Sequence, residues 1–208
     1  KGRDTAVDLM NLCMYCMNGR IGTGGICSAC GKPQLAEQVP SCALPLETIV
    51  HGRYLVGGVL GQGGFGITYV AYDLSENRRV VLKELYPSFM VRRKPGTYTV
   101  SVYKNLSSFE KNRDRFIKEA QLIYTFRATP EIVDVYHIFT ENNTGYYVME
   151  YLNGQTLQSF LKRNGGRMSW NQLNPIVHDV IRALRVVHQS GSIHRDISPD
   201  NIFLLSTG

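Results

Sequence analysis

Residues 54–72 read YLVGGVLGQGGFGITYVAY, and the residues after the glycines constrain the fold more than the glycines do. Gly61, Gly63 and Gly66 satisfy G-x-G-x-x-G, a spacing shared by several phosphate-binding loops. A dinucleotide-binding loop opens a helix whose N-terminus meets the pyrophosphate. Here the next segment is Ile67-Thr68-Tyr69-Val70-Ala71-Tyr72, β-branched and aromatic, which predicts a strand. A Walker-type loop ends in G-K-[ST], and this segment has none. The remaining reading is a glycine-rich turn between two antiparallel strands. Without side chains it can lie close over phosphates and offer them backbone N–H groups. A plain glycine hairpin is the alternative at this point.

Further pieces come in order. Val80-Val81-Leu82-Lys83 reads as an apolar strand carrying one lysine. Ser108 to Tyr124 reads as a helix, with Phe116, Ala120 and Ile123 at helical spacing. Glu119 lies three residues from Phe116 and four from Ile123, so it is expected on the buried stripe, paired with Lys83. Residues 132–139 and 145–152 read as two more strands, joined by the polar turn Glu141-Asn142-Asn143-Thr144. Ser169 with Gln172 forms a capping box for a helix running to about Gln189, with Pro175 in its second turn. His194-Arg195-Asp196-Ile197-Ser198-Pro199-Asp200-Asn201 then precedes a short apolar run.

The N-terminal segment carries its own signal. Cys13-Met14-Tyr15-Cys16 and Cys27-Ser28-Ala29-Cys30 make two C-x2-C knuckles. Such knuckles turn four thiolates toward one point, the ligand set of a structural zinc site with no open position for catalysis. Two disulfides or a redox pair are the competing readings, with no secretory signal or βαβ pattern to support them. Cys42 stands alone, and a buried or incidental thiol is the default for it. Pro33, Pro40 and Pro45 between Lys32 and Ile49 give linker composition. The expected layout is a ribbon over 1–35, a linker over 36–52 and a second domain over 53–208.

Charge narrows the partners. The 208 residues carry 23 Lys and Arg against 17 Asp and Glu, a formal charge of +6. Residues 1–52 are neutral, whereas the stretch from Arg78 to Lys118 is strongly basic. No regular aromatic interleaving accompanies that charge, so a solvated face is the reading and nucleic acid is not expected. No apolar run reaches the ~18 residues of a membrane span.

The ordered set of motifs from residue 53 onward resembles the bacterial eukaryotic-like serine/threonine protein kinases, here with a four-cysteine zinc ribbon in front. The resemblance implies an α+β, protein-kinase-like fold. An antiparallel five-stranded N-lobe with one αC-type helix (about 53–152) would precede the start of a helical C-lobe (153–208). It implies ATP and Mg²⁺ as cofactors and protein Ser/Thr hydroxyls as acceptors. Leu60, Gly61, Gly63, Gly66, Thr68, Val81, Lys83, Met149, Glu150 and Leu152 would line the ATP site. Met149 would be the gatekeeper, and Glu150, Tyr151 and Leu152 the hinge. Asp196 would orient and deprotonate the substrate hydroxyl, Asn201 would bind Mg²⁺, and Lys83 would hold the α- and β-phosphates while paired with Glu119. Cys13, Cys16, Cys27 and Cys30 would bind Zn²⁺, and the ribbon would make a protein or autoregulatory contact.

Val81 replaces the usual Ala of the adenine ceiling, and Thr68 replaces the usual Val in the second strand. Ser198 stands where a lysine usually faces the γ-phosphate. A lost charged hydrogen bond is worth ~1.5–3 kcal/mol, or roughly 10- to 100-fold in rate. No Asp-Phe-Gly occurs after Asn201. The sequence therefore reads as a kinase fragment that is inactive alone, from a cytoplasmic parent with room for a C-terminal membrane anchor. The alternatives are a nucleotide-binding pseudokinase scaffold and a ribbon acting as a protein-interaction module.

Overall fold

A computed structural model describes residues 11–34 and 39–206. The boundary expected at residues 35–36 and the C-terminal Thr207-Gly208 lie outside the described residues. The chain falls into two compact units, Lys1–Leu122 with Val135–Tyr151, and Ile123–Asp134 with Leu152–Gly208.

The first unit is built on a six-stranded antiparallel sheet, in the order β1 (Ile49–Val50), β2 (Tyr54–Gln62), β3 (Gly66–Asp73), β4 (Arg78–Leu85), β8 (Thr144–Glu150), β7 (Val135–Glu141). Five of these are the strands expected from sequence, and β1 is a two-residue addition. The turn between β7 and β8 is the pair Asn142-Asn143, both at positive φ (52° and 59°), which asparagine tolerates and a two-residue hairpin requires. A second, smaller hairpin, β5 (Val91–Arg93) and β6 (Val100–Val102), is inserted before the helix α1 (Leu106–Thr125).

Period-two alternation gives the sheet two different faces. One carries the main core, with Tyr54, Val56, Ile67, Tyr69, Ala71, Val80, Leu82, Tyr146 and Val148. The inserted hairpin contributes Val91 and Val100 to that core, and α1 contributes Phe109. Residues 39–50 depart from the linker reading. Ala43, Leu44 and Val50 are buried in the same core, because the segment's apolar side chains find the sheet. At its centre lies an ion pair with both partners sequestered, Glu84 with Arg93. Tyr69 and Tyr146 each donate a hydroxyl to Glu84 at 2.7 Å. Arg93 also donates to the carbonyls of Cys42 and Tyr98, and the Leu44 N–H donates to Tyr69 at 3.0 Å. Burial, then the Glu84 charge, push both tyrosine hydroxyls far above their usual range and keep them as donors.

The opposite face of the sheet receives the cysteine segment. Leu12, Met14 and Met17 form a second cluster with Leu55, Val70 and Tyr72. The approach is close enough that a Cβ on Gly57 would lie 2.3 Å from the Met14 carbonyl oxygen and 2.6 Å from the Met17 methyl carbon. The β2–β3 register shifts between Val56 and Val59, and there Gly58 N–H donates to the Met14 carbonyl at 2.6 Å. The cysteine segment thus takes over a hydrogen bond of the bulged strand.

The second unit contains α2 (Leu157–Arg163), α3 (Trp170–Gln189) and a two-stranded ribbon of β9 (Gly154–Thr156) and β10 (Phe203–Leu205). Both halves of the Ser169–Gln172 capping box are made, and α3 runs through Pro175 to Gln189 as expected. Among the described residues no helix is long and apolar enough to cross a membrane.

Candidate functional site

The register of β3, β4 and β8 sorts the expected ATP-site residues into cross-strand rows. Thr68 faces Lys83, and Lys83 faces Tyr147. Two residues along, Val70 faces Val81, and Val81 faces Met149. Because alternate residues share a face, Thr68, Val81, Lys83 and Met149 lie together on the face opposite the main core. Glu84, the next residue after Lys83, is held on the core side by Arg93, Tyr69 and Tyr146, so Lys83 must point the other way. The strands β2 and β3 are joined by the glycine turn, in which Gly63 N–H donates to the Gly66 carbonyl at 3.0 Å. Gly61 pairs with Thr68, which places the turn next to the Lys83 row. Leu60 is exposed just before it. Phe65, at the tip, meets Phe89 of the inserted segment edge-on, with ring centroids 5.5 Å apart.

Two expectations about Glu119 do not hold here. Its side chain is exposed, and no ion pair joins it to Lys83 among the described residues. The buried residues of α1 are Phe109 and Ala120, and Ala120 lies ~100° around the helix from Glu119. The Lys83 ammonium instead stands over the Tyr147 ring, 5.6 Å from its centroid.

In the second unit the residues expected to carry catalysis are adjacent. The Asn201 amide nitrogen donates to a carboxylate oxygen of Asp196 at 2.8 Å and to the Asp196 carbonyl at 2.9 Å. That orientation leaves the Asn201 carbonyl oxygen facing away from Asp196 as a hard ligand suited to Mg²⁺. Arg195 adopts positive φ (64°), and Asp196 N–H donates to His194 Nδ1 at 3.3 Å. The loop is anchored to the start of α2, whose Leu157 and Gln158 N–H groups donate to the carbonyls of Ile202 and Pro199. Those are N–H groups a helix cannot satisfy by itself. The Ser198 carbonyl accepts from Asn201 N–H at 3.0 Å, closing the turn.

The four N-terminal cysteines converge. Their sulfurs all lie within 4.8 Å of one another, with Cys13–Cys30 at 3.7 Å and Cys16–Cys27 at 3.6 Å. A tetrahedral ion with ~2.3 Å metal–sulfur bonds needs sulfur–sulfur edges of about 3.8 Å, so the cluster fits a zinc ribbon. Backbone N–H groups of Gly19, Ala29 and Cys30 point at the Cys16 and Cys27 sulfurs at 3.3–3.4 Å. Burial pushes the Cys13 thiol up to about 12. Burial also opposes ionisation of Cys27, but the Cys30 and Ala29 amides outweigh it and bring that thiol down to about 6.

One residue on the site face escaped the sequence reading. Arg79 follows the same alternation as Val81 and Lys83, and that period-two spacing was the available signal. It faces Tyr72, and its guanidinium lies 3.6 Å from the centroid of the Tyr151 ring.

Comparison with known proteins agrees with this arrangement. A family profile described as "Protein kinase domain" matches residues 54–208. Serine/threonine-protein kinase PknA of Nostoc sp. is 33% identical over 162 residues, 76% of this chain and 26% of the relative. Serine/threonine-protein kinase F of Synechocystis sp. is 32% identical over 165 residues, 78% and 32% of the two chains. PrkC of Bacillus subtilis is 32% identical over 155 residues, 74% and 21%. The chain thus spans a third or less of the length of these relatives. Among solved structures, "PpkA-294 apo form" superposes with a TM-score of 0.74 at 27% identity, covering 80% of this chain and 59% of that one. A point mutant of the Mycobacterium tuberculosis PknI kinase domain superposes with a TM-score of 0.62 at 23% identity, covering 79% and 59%, which bears on the fold. Taken with the ordered sheet face and the Asp196–Asn201 pair, these matches place the chain in the protein kinase domain family, with bacterial serine/threonine-protein kinases among its relatives.

Proposed function

We propose that this chain supplies the nucleotide-binding and hydroxyl-activating residues of an ATP-dependent kinase that phosphorylates Ser or Thr of protein substrates. The observation that carries the reading is the shared face of Thr68, Val81, Lys83 and Met149 beside the glycine turn. Val81 and Thr68 cover adenine, the backbone of Glu150 and Leu152 bonds its edge, and Lys83 neutralises the α- and β-phosphates. Asn201 offers its carbonyl oxygen to Mg²⁺, and Asp196 aligns the attacking hydroxyl and takes its proton. Phosphoryl transfer asks mainly for positioning and charge neutralisation, which these groups supply.

The exposed Glu119 belongs to a resting arrangement in this reading, and nucleotide binding draws it to Lys83. The ribbon holds Zn²⁺ structurally and makes its contact with this chain's own sheet, which favours an internal role over a separate interaction module. Titration of the chain with a fluorescent ATP analogue in Mg²⁺ tests the nucleotide half of the proposal. Saturable binding that Lys83→Met weakens about tenfold or more is expected from the loss of a charged phosphate contact. Undiminished binding by Lys83→Met would remove Lys83 from the site.

A further inference from the structure

The row beyond Val70, Val81 and Met149 on the same sheet face holds Tyr72 and Arg79. Arg79 touches both the cysteine segment and Tyr151. One nitrogen of its guanidinium donates to the Cys16 carbonyl at 3.2 Å, and its central carbon lies over the Tyr151 ring, 3.6 Å from the centroid. Cys16 contributes one of the four clustered sulfurs. Tyr151 comes directly after Glu150, the residue expected to meet adenine. A guanidinium suits this double duty because its edge donates hydrogen bonds while its face stacks on an aromatic ring. Met14, Met17, Leu55, Val70 and Tyr72 form one buried cluster, with Tyr151 packed against it.

We propose that Arg79 is a positioning residue for nucleotide binding: it fixes the Glu150–Tyr151 segment against the metal-loaded ribbon, so that loading of the four-cysteine site sets nucleotide affinity. The inference rests on the reading of residues 149–152 as the adenine-binding segment. A cation bound by all four sulfurs ties the two knuckles together, and metal binding and folding are coupled in such sites. When the ion leaves, the Cys13–Cys16 turn loses its fixed shape and Arg79 loses the Cys16 carbonyl, the acceptor that ties it to the ribbon. The Tyr151 ring then loses the group that orients it.

The test compares the metal-loaded chain, the chelated chain and Arg79→Ala. It uses three readouts: bound metal, affinity for a fluorescent ATP analogue, and amide exchange at Glu150 and Tyr151. Chelation of the native chain is expected to weaken nucleotide binding roughly five- to tenfold, the scale of one hydrogen bond plus one cation–π contact. It should speed exchange at Glu150 and Tyr151 and leave Tyr69–Ala71 and Val80–Leu82 unchanged. Arg79→Ala, with its metal content intact, should already show both changes, and chelation should add nothing further. Arg79→Lys, which keeps a donor and a cation, should recover part of the affinity. The proposal is overturned if chelation affects Arg79→Ala as strongly as the native chain, if exchange at Glu150 and Tyr151 ignores the metal, or if exchange rises throughout the sheet. Absence of any nucleotide binding would sink the kinase reading instead, and the exchange data would still decide whether Arg79 links the ribbon to Tyr151.

Discussion

Replacing Arg93 with alanine removes the cation from a pair whose side chains are 1% and 0% exposed. Glu84 keeps its two tyrosine hydroxyls, each at 2.7 Å, but loses the charge that offsets its own in the bonded network. The carbonyls of Cys42 and Tyr98 lose their donor in the same step. Breaking a buried pair by removing one partner costs ~3–5 kcal/mol. The two hydroxyls that remain place this site toward the lower end, at about 3–4 kcal/mol. At ~2–4 °C per kcal/mol for a chain of this size, the melting midpoint should fall by roughly 6–16 °C. The assay is thermal and urea unfolding tracked by far-ultraviolet circular dichroism. Its control is the double variant Arg93→Met with Glu84→Gln, which removes both charges and preserves most of the volume. That variant should recover most of the loss, because replacing a whole buried pair is far cheaper than orphaning half of it. A loss under about 1 kcal/mol for Arg93→Ala, or a double variant less stable than the single one, would refute the claim that the cost lies in an uncompensated buried charge.

Two further outcomes concern the first unit. Burial works against the Asp73 charge, but the Arg53 guanidinium and the amides of Glu76 and Ser75 outweigh it and hold the carboxyl below its usual range. Asp73 therefore stabilises fully above the unfolded carboxyl value of about 3.9 and loses that contribution as pH falls through its depressed folded value. Asp73→Asn should lower the urea midpoint at pH 7, and the difference from the native chain should shrink below about pH 4; a gap that widens in acid would contradict this. Gly57→Ala places a methyl group against the Met14 carbonyl and should cost ~1–3 kcal/mol by lifting the ribbon from the sheet. Metal stoichiometry should stay unchanged because the four cysteines are untouched, and a variant as stable as the native chain would mean that the ribbon does not bear on β2.

Much of the first unit was legible because its strands are runs of β-branched, aromatic and apolar residues separated by glycine and polar turns. The Asn142-Asn143 turn was legible for a local reason, since two asparagines tolerate the φ angles a two-residue hairpin needs. Glu119 was misplaced because a loose helical periodicity fixes a buried stripe only to within a residue, and Ala120 holds that place. Residues 39–50 looked like linker because Pro40 and Pro45 interrupt them and their apolar residues follow no regular period. Their burial depends on partners far along the chain, such as Tyr69 for the Leu44 N–H and Arg93 for the Cys42 carbonyl. The β5–β6 hairpin was missed because three-residue strands of Arg, Val and Ser carry almost no periodic signal. Asp196 and Asn201 were identified as a pair by their motif alone. The contact that joins them is made by a turn that spacing could not show.

The central claim is that Asp196 activates a hydroxyl for attack on ATP. It is tested most directly by γ-phosphate transfer from radiolabelled ATP to protein, comparing the full-length native protein with Asp196→Ala. The native protein should label Ser or Thr. Asp196→Ala should lose at least ~10²-fold in rate, the low end of what a positioned general base contributes, while retaining nucleotide affinity. Labelling that continues at the native rate in Asp196→Ala would contradict the mechanism.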